Sequence, residues 1–97
     1  FGDLKELFLG DTAVTDVGLK ELAHLQNLTY LYLGGTKITD KGMKEVAAIT
    51  SLETLLVGGT DITDAGLKPL VALKNLKGLG LQGIAITVLH PPFDQAD

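Results

Sequence analysis

Cysteine is absent from the 97-residue chain, so neither a disulfide nor a thiolate metal site can hold it together. That absence fits a reducing compartment and leaves the location open. An excess of basic charge is missing too. Eight Lys and Arg stand against 12 Asp and Glu, for a net charge of −4 and a pI near 4.9. Nucleic acid and anionic membrane surfaces both reward a basic face and are not expected as partners. No apolar run approaches the roughly 20 residues that span a bilayer, and the opening residues lack the basic, then apolar, order of a signal peptide. The chain opens on Phe1 instead of methionine, so the native start and any targeting segment are read as lying outside it.

Catalytic residue types are equally sparse. Ser51 is the single serine, and His24 and His90 have no serine, acid or second histidine near them at a useful spacing. No glycine-rich loop leads into a lysine of the phosphate-binding kind. No enzyme, cofactor or metal is expected. What the chain does have is an apolar fraction of 45%, too high for disorder to be the default reading.

That apolar content is periodic. Leu4, Leu28, Leu52 and Leu76 head similar segments spaced 24 residues apart, giving units at 4–27, 28–51 and 52–75 and a partial unit at 76–87. Each unit opens with apolar residues at its first, fourth and sixth positions: Leu4, Leu7, Leu9; Leu28, Leu31, Leu33; Leu52, Leu55, Val57; Leu76, Leu79, Leu81. Alternation at the fourth and sixth predicts a short strand. Further on the spacing becomes three, in Leu19, Leu22, Leu25, then Met43, Val46, Ile49, then Leu67, Leu70, Leu73, which is one face of a helix. Between strand and helix lies T-D-x-G, where Asp16, Asp40 and Asp64 are expected to cap the helix, with Thr15, Thr39 and Thr63 as rivals. A metal ladder of these acids is disfavoured, because each turn supplies only one carboxylate. Pro69 should leave the third helix short or distorted near its start.

A single unit buries too little to order itself, so the units must stack. Strands pair about 4.8 Å apart while helices need about 8 to 10 Å, so the stack curves with the strands on its concave side.

The pattern LxxLxLxxTxITDxGLKxL resembles the leucine-rich repeat, in the 24-residue T-D-x-G-L variety found in many bacterial proteins and related to F-box-associated repeats. The resemblance covers nearly the whole chain. It implies an α/β solenoid, a short right-handed horseshoe segment with parallel strands on the concave face and short helices on the convex face, and it implies protein binding. Family members commonly carry asparagine or cysteine at the ninth position. Here stand Thr12, Thr36, Thr60 and Ile84, whose hydroxyls, where present, are expected to bond the adjacent turn in a thinner ladder.

Both ends depart from the repeat. Phe1 holds the register of Leu25, so residues 1–3 read as the tail of a missing unit, and the chain as a fragment of a longer array or one whose end a partner covers. At the other end Val88 and His90 replace the Asp and Gly, and Pro91 and Pro92 forbid a fourth helix. Residues 88–97 are either a partial cap with Leu89 and Phe93 on the core, the favoured reading, or a loose tail.

The third, fifth and seventh residues of each strand segment should face the concave side. The third-position column reads Glu6, Tyr30, Thr54, Gly78 and the fifth Phe8, Tyr32, Leu56, Gly80. Exposed aromatics in a row suit a protein contact, so Glu6, Phe8, Tyr30, Tyr32, Thr54 and Leu56 form the candidate partner site. Gly10, Gly34, Gly35, Gly58, Gly59 and Gly83 would leave the strand ends bare for another backbone. The competing reading is that the glycines serve turns and the apolar side chains stack on each other. Lys20, Lys44, Lys68, Glu21 and Glu45 are read as the solvated convex face. A second function stays open: a structural segment with no ligand of its own, self-associating through its unpaired edges at Lys5 to Leu9 and Lys77 to Leu81.

Overall fold

The alternating residues of each unit form the expected strand, three residues long, and the four strands make one parallel sheet. The computed structural model describes residues 3–82. In chain order these are β1 (Glu6–Phe8), β2 (Tyr30–Tyr32), β3 (Thr54–Leu56) and β4 (Gly78–Gly80), arranged β1-β2-β3-β4. Their register steps by one unit each time, so Leu7, Leu31, Leu55 and Leu79 lie side by side, as do Phe8, Tyr32, Leu56 and Gly80. The expectations for residues 1–2 and 83–97, including Ile84, the partial cap and the proline pair, lie outside the described residues.

Between strands run α1 (Asp16–Leu22), α2 (Met43–Val46) and α3 (Asp64–Leu67). A 3₁₀ turn, Asp40–Gly42, leads into α2, and another, Lys68–Ala72, follows α3. Apolar residues three apart line up along a 3₁₀ helix as well as along one face of an α-helix, so this spacing tolerates either winding. Pro69 enters after the α-helical turn of its unit, not near the start as its position suggested. It lacks the N–H that would extend α3, and the chain continues as 3₁₀ with the proline in its first turn. Shortness itself is not the proline's doing, since α2 is equally short without one.

The core sits between the sheet and the helical layer. Leu28, Leu31, Leu33, Ile38, Met43, Val46, Ile49, Leu52, Leu55, Val57 and Leu70 are fully buried, and Leu19, Ile62, Leu67 and Leu73 nearly so. Backbone ladders tie each unit to the next at two heights. The Lys5 carbonyl accepts the Thr29 and Tyr30 N–H groups, and the Thr29 carbonyl accepts those of Glu53 and Thr54. Further along, the Leu9, Leu33 and Val57 N–H groups donate to Tyr32, Leu56 and Gly80.

The T-D-x-G turn supplies a third tie, made by side chains. Threonine, not aspartate, holds the N-cap position of all three helical segments. The aspartate reaches forward into the next unit instead. Asp16 Oδ1 accepts the Thr39 N–H at 2.8 Å and its Oδ2 accepts the Thr39 hydroxyl at 2.5 Å. Asp40 does the same for Thr63, at 2.6 and 2.5 Å. With their protons held by the carboxylate, the Thr39 and Thr63 hydroxyls accept the N–H groups of Lys41 and Ala65 at 3.3 Å. Thr15 has no side-chain capping bond. The Thr12, Thr36 and Thr60 hydroxyls, expected to bond the adjacent turn, donate within their own, to the carbonyls of Leu9, Leu33 and Val57 at 2.6 to 2.8 Å. At the ninth position the hydroxyls close back on their own turn, and the aspartates carry the side-chain tie between these turns.

The glycine of the same motif makes room for this contact. A Cβ at Gly42 would stand 2.4 Å from Asp16 Oδ1, and one at Gly66 2.3 Å from Asp40 Oδ1. At Gly18 a Cβ would meet only Val14 Cγ1, at 3.9 Å. One motif position therefore carries two different constraints. Gly66→Ala is expected to destabilise the chain by about 1–3 kcal/mol by displacing a carboxylate from its two donors, and Asp40→Ala by a similar amount. Gly18→Ala should raise stability by about 0.4–1 kcal/mol, since it only restricts the unfolded chain at an exposed helical site. Urea unfolding of the three variants checks this, and equal effects at Gly18 and Gly66 would refute the assigned role of the motif.

Candidate functional site

Because the fourth and sixth residues of each strand segment point into the core, the third and fifth are left on the other side of the sheet. The structure places Glu6, Phe8, Tyr30, Tyr32, Thr54 and Leu56 there together, in two columns that cross β1, β2 and β3. Glu6 and Phe8 are exposed and the other four half-buried. Part of this burial comes from neighbours on the same face, across the columns. The Phe8 and Tyr30 rings pack at a centroid distance of 5.1 Å with planes tilted by 35°, a separation within the favourable range for aromatic pairs. Even so, Phe8 keeps 60% of its surface exposed. The columns become smaller toward β4, where Gly78 and Gly80 follow Thr54 and Leu56.

Gly10, Gly34 and Gly58 do not leave a bare backbone for a partner. A Cβ at Gly10 would fall 2.2 Å from Tyr32 Cε2, and one at Gly34 2.6 Å from Tyr32 Cε1, so the Tyr32 ring lies across both. Gly58 is closed by the backbone of Gln82, whose carbonyl oxygen would be 2.6 Å from such a Cβ. Gly35 and Gly59 serve the turn, each with φ of +72°, a conformation that favours glycine. Asp11 takes the same place in the first unit at φ +58°, and aspartate is among the few side chains that accept it.

One feature of this face escaped the column reading. An open hollow of about 290 Å³ lies beside the aromatic cluster, lined by Tyr32, Leu56, Gly58, Gly80 and Gln82. It arises because Tyr32 leans toward Gly10 and Gly34, while Gly58 and Gly80 contribute no side chains to fill the space. The missing side chains at Gly58 and Gly80 were the signal in the sequence.

The remaining polar residues have structural work. Ser51 donates to the Leu28 carbonyl at 2.5 Å, and His24 is exposed at the end of the α1 segment. Among the described residues no three His, Asp or Glu side chains come together as a metal-ligand set, and no helix is long and apolar enough to cross a membrane.

Solved structures with this architecture include two internalins of one bacterium. Internalin C2 of Listeria monocytogenes superimposes with a TM-score of 0.80 at 28% identity, over 98% of this chain and 39% of its own. Internalin F of the same organism gives 0.61 at 21% identity, over 98% of this chain and 33% of its own, a likeness of fold alone. The chain thus spans well under half the length of either. No curated protein sequence gives a significant match. The family profile described as "Leucine Rich repeat" matches three times in succession, at residues 3–23, 24–47 and 48–71. Proteins built this way are in general interaction scaffolds, not enzymes, and their partners are in general other proteins. With its 24-residue step, its parallel strands and its layer of short helices, the chain belongs to the leucine-rich repeat family.

Proposed function

We propose that this chain is a protein-interaction module whose partner docks on the strand face around Glu6, Phe8, Tyr30, Tyr32, Thr54 and Leu56. The observation that carries the reading is Phe8, a phenylalanine 60% exposed on the first strand of the sheet face, packed beside the Tyr30 ring and in register with Tyr32. Burying such a cluster offers about 25 cal/mol per Å² of apolar surface removed from water. Aromatics of this kind are enriched where partners meet. Val17 and Val71 are also exposed, but they lie on the helical side and belong to no aromatic cluster.

The test uses peptides selected from a random display library against the immobilised chain. Phe8→Asp should abolish their binding, while Val17→Asp on α1 leaves it intact. Val17→Asp should shift the unfolding free energy by no more than about 0.5 kcal/mol, and Phe8→Asp by about 0.5–1.5 kcal/mol through the lost Tyr30 contact, so binding is compared under conditions where both variants are fully folded. Peptides that ignore Phe8→Asp and are lost with Val17→Asp would move the site to the helical face.

A second reading has its own observation. Leu4, Leu7, Leu9, Val14, Leu22 and Leu25 at the β1 end are only partly buried, whereas their counterparts one unit on, Leu28, Leu31, Leu33, Ile38, Val46 and Ile49, are fully buried. This end of the stack is an apolar surface, and the outer edge of β1 offers backbone groups for pairing. On this reading the chain self-associates or stacks on further repeats through its β1 end. Sedimentation over a hundredfold concentration range should then show a reversible dimer that Leu7→Glu abolishes. A monomer throughout would end this reading and leave the strand face untouched.

A further inference from the structure

The exposed strand-face columns hold one charge. Glu6 stands in register beside Tyr30 and two residues before Phe8, on the same side of the sheet as both. It is exposed and has no hydrogen-bond or ion-pair partner among the described residues. The other third- and fifth-position residues, Tyr30, Thr54, Gly78, Phe8, Tyr32, Leu56 and Gly80, are uncharged. Lys5 precedes Glu6 directly, and consecutive strand residues project to opposite sides. A carboxylate beside a tilted pair of aromatic rings, one of them exposed, is a site for a cation, because the ring faces and the carboxylate attract positive charge together. The chain's net charge of −4 acts in the same direction at longer range.

The hollow defines a second contact. Ligand pockets that enclose a drug-sized molecule run from about 300 to 1,000 Å³. At about 290 Å³ and open on one side, this one has room for a single large side chain. Its lining of Tyr32, Leu56 and two glycines is mainly apolar. The aromatic pair lies between β1 and β2, and the hollow near β3 and β4, two strand spacings away, or about 10 Å. An extended peptide covers that distance in about three residues.

Resting on the strand-face reading above, we infer that the partner presents an extended segment with a basic side chain over Phe8 and Tyr30 against Glu6, and a bulky apolar side chain two to four residues away in the hollow beside Tyr32, Leu56 and Gly80. Arginine suits the first site best, since its planar head stacks on a ring while donating to a carboxylate. The hollow excludes charge and accepts leucine, methionine or phenylalanine.

Sequencing the display-selected peptides tests this. Arg or Lys should be enriched, with a large apolar residue two to four positions away. Synthetic peptides of that kind should lose about five- to tenfold in affinity against Glu6→Lys, and weaken as salt rises. Gly80→Leu, whose Cβ would meet Leu56 Cδ2 at 2.6 Å and push that side chain's bulk toward the hollow, should lower the affinity of the same peptides while sparing variants with alanine at the apolar position. Glu6→Lys is exposed and should leave the unfolding midpoint unchanged. Selected peptides that need Phe8 but show no basic preference and ignore Glu6→Lys would overturn this inference and leave the strand face as the binding site. Peptides that ignore Phe8→Asp would overturn both.

Discussion

The carboxylate that passes from one repeat into the next organises much of what the stack does. Asp16 and Asp40 each take a backbone N–H and a hydroxyl from the threonine one unit ahead. That threonine, its proton committed, then accepts the N–H of the second residue of its own helical segment. One side chain therefore satisfies donors in the neighbouring unit and orients that unit's helix cap. Donors at a helix start are costly to leave unpaired when partly buried. The glycine two residues beyond the aspartate is the spatial condition for the contact, because a side chain at Gly42 or Gly66 would occupy the place of the carboxylate. Thr, Asp and Gly are thus three parts of one joint, split between adjacent repeats.

A joint of this kind fixes the step from unit to unit, and with it the register of the strands. The aligned leucines Leu7, Leu31, Leu55 and Leu79 are consequently forced inward together, and the residues between them outward together. Columns on the strand face follow without further specification. What fills a column is then free to vary, because no residue in it is needed for the step. Phe8, Tyr32, Leu56 and Gly80 differ in size from a large ring to nothing, on strands whose inward residues are all leucine. Such variation on a fixed frame is how solenoid surfaces acquire distinct partners.

The period, the strand positions and the inward leucines were legible because they rest on spacing alone, which a chain with 24-residue repeats displays openly. The two columns could be read for the same reason, since alternation fixes which residues share a side. Partners of polar side chains were not. A cap and a bridge to the next repeat draw on the same residue types, and nothing within one unit shows that the carboxylate of Asp16 lies near Thr39, 23 residues away. The same holds for the ninth-position threonines, where reach decides the outcome: an asparagine amide extends further than the hydroxyl of Thr36, which closes back on Leu33. The Tyr32 ring shows a third kind of limit. Its column position was evident, but its tilt over Gly10 and Gly34 depends on which neighbouring sites lack a Cβ.

Tilt also decides how much of the face remains open to a partner. Had Tyr32 stood upright between Phe8 and Leu56, the aromatics would have covered one another and the self-stacking account would suffice. By lying over the glycines it closes the strand ends that looked bare and opens the hollow toward β4. The same glycine column therefore both removes the expected backbone contact and creates a side-chain-sized one. Phe8, paired on one side with Tyr30, keeps most of its surface in water. Contacts on this face, of Tyr30 with Phe8, Tyr32 with Gly10 and Gly34 and Leu56 with Gly80, contribute to the burial of Tyr30, Tyr32 and Leu56, but they do nothing for the exposed remainder of Phe8 or for the unfilled hollow. Those two features, one protruding and one recessed, are what a partner of complementary shape would cover.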